Sequence, residues 1–287
     1  MLELQNLTLE ITDREETRSL IHEAAARFPQ GHLCAVIGPS GCGKSTLLKL
    51  VAGLREANDG TVRWQGRDLS NDKDLEPHEI GYVPQCSIAH EHLTVWESVH
   101  SSVALRVGGL SRAQQFERVE RLLMDVGLTE IVDRQVRVLS GGQRRRLALA
   151  LEMASAPSLL LCDEVTSGLD PKAEDEVVRL LHKLSREDGR IVLNVTHSLR
   201  HTDLYDSILV LHEGYVVFHG PPEFLYHYFS LEKLHELFPR LATRKAEDWH
   251  HSWGKHRATY YAAQVDAYQA VSKAEETPTA LTFDQLS

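Results

Sequence analysis

Nine consecutive residues, Gly38-Pro39-Ser40-Gly41-Cys42-Gly43-Lys44-Ser45-Thr46, are of the types that can hold a phosphate. They fit G-x-x-x-x-G-K-[ST]. Glycines let backbone N–H groups turn inward around an anion with no Cβ in the way. A helix starting at the lysine adds its positive dipole end. Lys44 is placed to bridge the β- and γ-phosphates of a nucleotide, and the Ser45 hydroxyl to hold Mg²⁺. Farther along, Leu159-Leu160-Leu161-Cys162 reads as a buried strand that ends in two acids, Asp163 and Glu164. At the C-terminal edge of a parallel sheet such acids face the phosphate loop. Asp163 would steady Mg²⁺ through water, and Glu164 would polarise an attacking water. Phosphoryl transfer needs positioning and charge neutralisation more than covalent chemistry, so this small cast is sufficient.

A second anion-reading turn is present at Leu139-Ser140-Gly141-Gly142-Gln143. Ser140 can cap the helix that follows, and two glycines leave the first N–H groups open. One chain has no use for two such turns around one γ-phosphate unless a second copy supplies one of them.

These groups need a scaffold of alternating strands and helices. Leu33 to Ile37 is an apolar run of buried-strand type, and Lys44 to Ala52 has helical composition ending near Gly53. Leu2 to Ile11 alternates as a strand, with a charged turn at Asp13 to Thr17. Asp59-Gly60 reads as a turn before a strand from Thr61 to Gln65. Ile80 to Pro84 is a short strand. Thr94 to Val107 and Ser111 to Val126 read as helices, the second with Ala113, Phe116, Val119, Leu122, Leu123 and Val126 along one face. Sheet composition returns at Leu159 to Cys162, Ile191 to Val195, Ile208 to Leu211 and Tyr215 to Phe218. Pro171 to Glu187 is a helix with proline in its first turn. Strand–helix–strand order of this kind implies a parallel sheet. There is no internal repeat. Past Phe229 the chain turns aromatic (Trp249, Trp253, Tyr260, Tyr261), with Tyr261, Val265 and Tyr268 on one helix face. That face either packs on the domain or docks a partner, and packing is the plainer expectation. Glu275 to Ser287 reads as a polar tail.

The chain has 287 residues, 42% of them hydrophobic, enough for one large cored domain with extensions. A net charge of -10 argues against nucleic acid as a partner. No apolar run approaches the roughly 20 residues that span a bilayer, and Met1 to Leu4 lack a signal-peptide pattern. The expectation is a cytoplasmic protein whose membrane role comes through a partner. The cysteines, Cys34, Cys42, Cys86 and Cys162, show neither zinc nor disulfide spacing. Cys42 lies inside the phosphate loop, so its alkylation is expected to block nucleotide binding.

Taken together, these motifs resemble the nucleotide-binding subunit of ATP-binding cassette transporters. Gly38 to Ser45 matches the Walker A motif, Leu139 to Gln143 the family signature, and Leu159 to Glu164 Walker B with its catalytic glutamate. Gln85 matches the Q-loop, Ser167-Gly168-Leu169-Asp170 the D-loop, and Thr196-His197 the switch histidine. The motifs stand in family order over residues 1–229. The resemblance implies an α/β fold of P-loop NTPase type. Its parts would be a RecA-like, mostly parallel sheet core, an N-terminal antiparallel β subdomain and an α-helical subdomain inserted at about 87–155, with residues 230–287 as a C-terminal extension. It implies ATP and Mg²⁺ as cofactors, with Ser45, Gln85 and Asp163 at the metal and Glu164, His197 and Gln85 as catalytic residues. It also implies a head-to-tail dimer in which Ser140, Gly141, Gly142, Gln143 and Asp170 complete the partner's site. A separate membrane permease would carry the substrate, and the cassette would sit on the inner face of the membrane through it. Leu93 to Glu97, Thr166 to Asp170 and Phe218 to Pro222 resemble the G subfamily and related bacterial exporters, which favours export. Two features depart from the family: Leu7 to Thr12 holds no aromatic to stack on adenine, so nucleotide preference is expected to be loose, and Val165 replaces the usual proline. A soluble cassette ATPase or an ATP-dependent regulatory module is the alternative. A single cassette without a coiled-coil insertion, with Glu164 and His197 intact, speaks for the transporter.

Overall fold

The computed structural model describes residues 1–13, 16–69, 75–76, 78–85 and 89–275, with side chains to residue 262. Residues 86–88, Cys86 among them, and the tail past Glu275 lie outside the described residues.

Among the described residues ten strands form one sheet: β1 (Leu2–Asp13), β2 (Glu16–Phe28), β3 (Leu33–Ile37), β4 (Asp59–Trp64), β5 (Arg67–Asp68), β6 (Ile80–Val83), β7 (Leu159–Asp163), β8 (Ile191–Val195), β9 (Ser207–His212) and β10 (Tyr215–Gly220). Their order is β5-β4-β1-β2-β10-β9-β3-β8-β7-β6. The first four in that order pair antiparallel. From β9 through β3, β8 and β7 to β6 every pairing is parallel. The composition explains the split. β3, β7 and β8 are buried at every position and are apolar except for Asp163 at the end of β7 and Asn194 in β8, as strands covered on both faces must largely be. β1 instead alternates, with Leu2, Leu4, Leu7 and Leu9 in the core.

One turn expected from sequence is absent. Asp59 and Gly60 begin β4 instead, opposite an irregularity in β1 between Gln5 and Thr8. Gly60 has φ +82, and a Cβ there would lie 2.3 Å from the Asn6 carbonyl oxygen. The glycine serves close strand approach at a bulge, which a dipeptide turn signal cannot reveal. The Asp13–Thr17 turn is likewise shorter than expected, because β1 runs to Asp13 and β2 starts at Glu16.

The helices are α1 (Lys44–Val51), α2 (Val95–Arg106), α3 (Arg112–Asp125), α4 (Gly141–Glu152), α5 (Pro171–Arg186), α6 (Pro222–Phe229), α7 (Leu237–Leu241) and α8 (Ala246–Glu275). Between β6 and β7 the described regular elements are all helical. α2, α3 and α4 each start in a capping box, set by Thr94 with Glu97, Ser111 with Gln114 and Ser140 with Gln143. In α3 the inward residues are Val119, Leu122 and Leu123, whereas Phe116 is 51% exposed and Ala113 also faces solvent. The expected apolar face is therefore longer than the buried one.

α8 lies along β10. Trp253 and Tyr260 pack on Phe218 with ring centroids 5.4 and 5.6 Å apart, and Trp249 packs on Phe229 at 5.1 Å. Each buried aromatic stabilises the contact by roughly 2–3 kcal/mol, enough for several to hold the helix down. The aromatic stretch thus packs on the domain through Trp249, Trp253, Tyr260 and Tyr261. The side chains of Val265 and Tyr268 lie outside the described residues.

Candidate nucleotide site

Four neighbouring parallel strands, β3, β8, β7 and β6, release their chains at the same edge. The residues that follow are Gly38, Thr196-His197, Glu164 and Pro84-Gln85. Parallel pairing alone therefore gathers side chains from four distant parts of the sequence at one edge. Backbone bonds stitch that edge together, with Thr196 N donating to Val36 O at 3.1 Å and Glu164 N to Val195 O at 3.1 Å.

The phosphate loop occupies Gly38 to Gly43, and its glycines are dictated by their neighbours. A Cβ on Gly38 would sit 2.1 Å from the Leu211 carbonyl oxygen. Gly43 has φ +104 and would meet the Leu20 carbonyl oxygen at 2.9 Å. The loop is also tied to the β9–β10 turn, where Gly214 N donates to Cys42 O at 2.9 Å. Lys44 is buried, and its Nζ donates to the carbonyls of Gly38 (3.0 Å) and Pro39 (2.9 Å). Its ammonium thus lies along the inner wall of the loop, where a phosphate oxygen could replace either carbonyl as acceptor.

Ser45 Oγ donates to Asp163 Oδ1 at 2.7 Å. A hydroxyl and a carboxylate make an oxygen-only donor pair, which suits a hard cation such as Mg²⁺. Among the described residues no cluster of three or more His, Cys, Asp or Glu could hold an ion alone. This pair therefore fits a metal shared with phosphate oxygens rather than a protein cage.

Glu164 stands at the centre of the chemistry. It takes φ +53, unusual for a residue with a side chain. Its two oxygens are engaged from opposite sides: Gln85 Nε2 donates to Oε2 at 2.8 Å, and His197 Nε2 lies 2.9 Å from Oε1. Left-handed backbone here costs about 1 kcal/mol and clusters at functional sites. It turns the carboxylate out of the strand direction and towards its two partners. An open cavity of about 290 Å³ is lined by Glu164, Thr166, Leu169, Thr196 and His197.

The turn from Ser140 to Gln143 is placed differently. Ser140 Oγ accepts from Gln143 N at 3.3 Å, and Gln143 Oε1 accepts from Ser140 N at 3.0 Å. Gly141 and Gly142 abut Leu169 and Ala173, with Gly142 so close that a Cβ would come within 3.0 Å of the Ala173 Cβ. Among the described residues no hydrogen bond joins this turn to the phosphate loop. Asp170 caps α5, accepting from Lys172 N and Ala173 N at 3.0 Å each. The structure thus gathers Lys44, Ser45, Gln85, Asp163, Glu164 and His197, and sets Ser140, Gly141, Gly142, Gln143 and Asp170 apart along a neighbouring surface.

Four side chains at the site carry no role of their own in the sequence reading. The Tyr82 hydroxyl donates to Asp163 Oδ2 at 3.0 Å. Arg145 donates to the Gln85 carbonyl. The hydroxyls of Thr166 and Thr196 meet at 3.2 Å. Strand order and the packing of α4 bring them in. One expectation is also modified: Cys42 is 6% exposed, and burial pushes its thiol up despite the nearby Lys44. A protonated, covered thiol alkylates slowly.

A P-loop at the end of a central parallel strand, with an acid pair on the second strand over and a helical block inserted between, defines a nucleotide-binding ATPase cassette. The comparisons agree. The ABC transporter family matches residues 21–167, and the chain belongs to that family. It is 42% identical over 194 residues to the ABC transporter ATP-binding/permease protein Rv1747 of Mycobacterium tuberculosis, covering 67% of this chain and 22% of that one. It is 38% identical over 211 residues to the sulfate/thiosulfate import ATP-binding protein CysA of Vibrio vulnificus, covering 72% of this chain and 60% of that one. Among solved structures it resembles the ATP-binding cassette MJ0796, solved as a dimer in a post-hydrolysis state with ADP and Pi. That match has a TM-score of 0.69 and 29% identity, covering 77% of this chain and 98% of that one. The chain spans between about a fifth and three fifths of the length of these two curated relatives.

Proposed function

We propose that this chain binds and hydrolyses ATP as one of two cassettes that pair head to tail, and so powers transport through a membrane subunit. The observation that carries the reading is the grip of Gln85 and His197 on the two oxygens of Glu164, one residue from the Ser45–Asp163 pair.

The residues divide the work by position. Lys44 exchanges its carbonyl partners for β- and γ-phosphate oxygens. Loop N–H groups from Gly41 to Thr46 surround the β-phosphate, with Pro39 and Ser40 shaping the entry. Ser45, Asp163 and Gln85 would hold Mg²⁺. When bound, Mg²⁺ neutralises charge on the phosphate oxygens. Glu164 orients the attacking water and accepts its proton. His197 then turns to the γ-phosphate, where it compensates the charge that develops. The Ser140–Gly142 turn of a second copy supplies N–H donors to the same γ-phosphate, and Asp170 lies at the seam. The separation of that turn from the loop within one chain supports this pairing. So does MJ0796, whose cassette is a dimer. Closure on ATP and opening after hydrolysis form a two-state device.

Residues 1–229 would constitute the cassette, 87–155 its helical insertion, and 230–287 an extension. A groove of about 770 Å³ on the insertion, lined by Trp96, Phe116, Leu123, Met124 and Val132, offers an apolar seat for a membrane subunit. Gln85 meets that insertion directly, its carbonyl accepting from Arg145 of α4. No described helix is long and apolar enough to cross a membrane. The cassette would sit on the inner membrane face through its membrane subunit. The relatives include an ATP-binding/permease protein and an import protein, and the G-like motifs lean towards export. A phosphate-release assay tests the reading: Mg²⁺-dependent turnover of ATP that Glu164→Gln removes is expected. Turnover that Glu164→Gln leaves intact refutes it.

A further inference from the structure

We infer that Tyr82 is a positioning residue for the metal-facing carboxylate of Asp163, and that Arg106 and Glu152 lock Tyr82 in place from the inserted helices. The inference rests on the reading of Ser45 and Asp163 as the Mg²⁺ pair.

Asp163 ends β7 with both oxygens held. Ser45 donates to Oδ1 at 2.7 Å and Tyr82 donates to Oδ2 at 3.0 Å. Two donors on opposite oxygens set the rotation of the carboxylate about its last bond. Ser45 must itself serve the metal, so Tyr82 is the donor whose only task here is orientation. A phenol keeps its proton at neutral pH, so it remains a donor. A charge-assisted O–H bond of this kind is among the stronger ones a side chain makes.

The same residue is gripped at its other end. Tyr82 N donates to Glu152 Oε2 at 3.2 Å. Glu152 is buried and is the last residue of α4. It also takes both arms of Arg106, the last residue of α2, at 2.8 and 2.7 Å. Gly81 permits this, since a Cβ there would lie 3.3 Å from the Glu152 Cβ and 3.0 Å from Leu160. A buried carboxylate without its cation is costly, so Arg106, Glu152 and the β6 amide form one unit. The unit spans from the inserted helices to the metal-facing acid through a single residue. A shift of α2 against α4 therefore reaches Asp163 directly.

The test measures binding of a fluorescent ATP analogue across a Mg²⁺ titration and in EDTA, with melting temperatures alongside. Tyr82→Phe should raise the Mg²⁺ midpoint about tenfold, the scale of one lost hydrogen bond to a charged group, and leave binding in EDTA unchanged. Arg106→Met, which touches neither metal nor nucleotide, should shift the midpoint the same way by a smaller factor. The double variant should be no worse than Tyr82→Phe alone, because both act through one residue. An unchanged midpoint in Tyr82→Phe overturns the inference, as does equal weakening with and without Mg²⁺, which marks a merely structural role. If Tyr82→Phe does not fold, Arg106→Met carries the test, and an unchanged midpoint there overturns it. A wild-type protein whose nucleotide binding ignores Mg²⁺ would instead refute the proposed function itself.

Discussion

Ser45, near the start of α1, donates its hydroxyl to Asp163, at the end of β7, across 2.7 Å and 118 positions of sequence. The contact joins the phosphate loop to the acid strand although β8 runs between β3 and β7 in the sheet. It closes over the strand ends and thereby makes a two-oxygen corner. Lys44, one residue earlier, turns to the loop carbonyls instead. The two neighbours thus face phosphate and metal separately.

Lys44 carries the only ammonium seen against the loop among the described residues. Lys44→Ala should weaken ATP binding at least 100-fold, since a buried charge-assisted contact to phosphate is lost. Fluorescent-nucleotide titration checks this. The melting temperature without nucleotide should change little, because the two carbonyls left behind can turn to water.

Glu164→Gln should keep ATP binding and lower turnover by two to three orders of magnitude or more, the scale of removing a general base. Its amide can still accept from Gln85 or from His197, but it offers an N–H where the other group needs an oxygen. The slowed protein should accumulate as an ATP-bound dimer, visible by size-exclusion chromatography with light scattering.

Ser140→Arg should leave nucleotide affinity within about threefold and abolish the ATP-induced dimer. The side chain stands on the surface where a second copy would approach, and it also caps α4, so about 1 kcal/mol of stability should go with it. Ser140→Ala separates the two effects: it should lose the cap yet still dimerise.

Acid should destabilise the fold before it reaches the carboxylate range. His32 and His219 are buried around Ser207, with His32 Nε2 2.7 Å and His219 Nε2 3.1 Å from its hydroxyl. Burial lowers His32 to about 4 and His219 to about 3. An unfolded histidine titrates near 6.5, so below that value the unfolded chain binds protons that the native one refuses. Stability is therefore full above about pH 6.5 and falls as the pH drops towards 4, by roughly 2 kcal/mol per histidine at pH 5. Urea unfolding at pH 7 and pH 5 measures the loss, and His219→Phe should reduce it.

Cys42 should react slowly with maleimide, because its thiol is covered and pushed up by burial. Once labelled, it should no longer bind nucleotide, since the added group occupies the floor of the loop. Mass spectrometry against a denatured control gives the rate. Labelling as fast as in the denatured chain would contradict the burial.

The sequence by itself determined the chemistry available and the order in which the chain presents it. The loop from Gly38 to Thr46 is legible because an anion cradle tolerates few residue types, and these leave a local pattern. The same holds for the acids after Cys162, for the Ser140 cap, and for the proline start of α5, all of which depend on neighbours within four or so positions. Tertiary structure alone decided which of these groups meet. Gln85, Glu164 and His197 converge because β6, β7 and β8 lie side by side, and strand order is a property of long-range pairing. Tyr82 reaches Asp163 through strand register, and Arg145 reaches Gln85 because α4 packs beside the end of β6; neither contact has a local signal. Gly60, read as a turn, proved to be a strand residue because its neighbour across the sheet, Asn6, sits more than fifty positions away. Local rules see backbone preference, and only the folded chain shows which surface each residue must face.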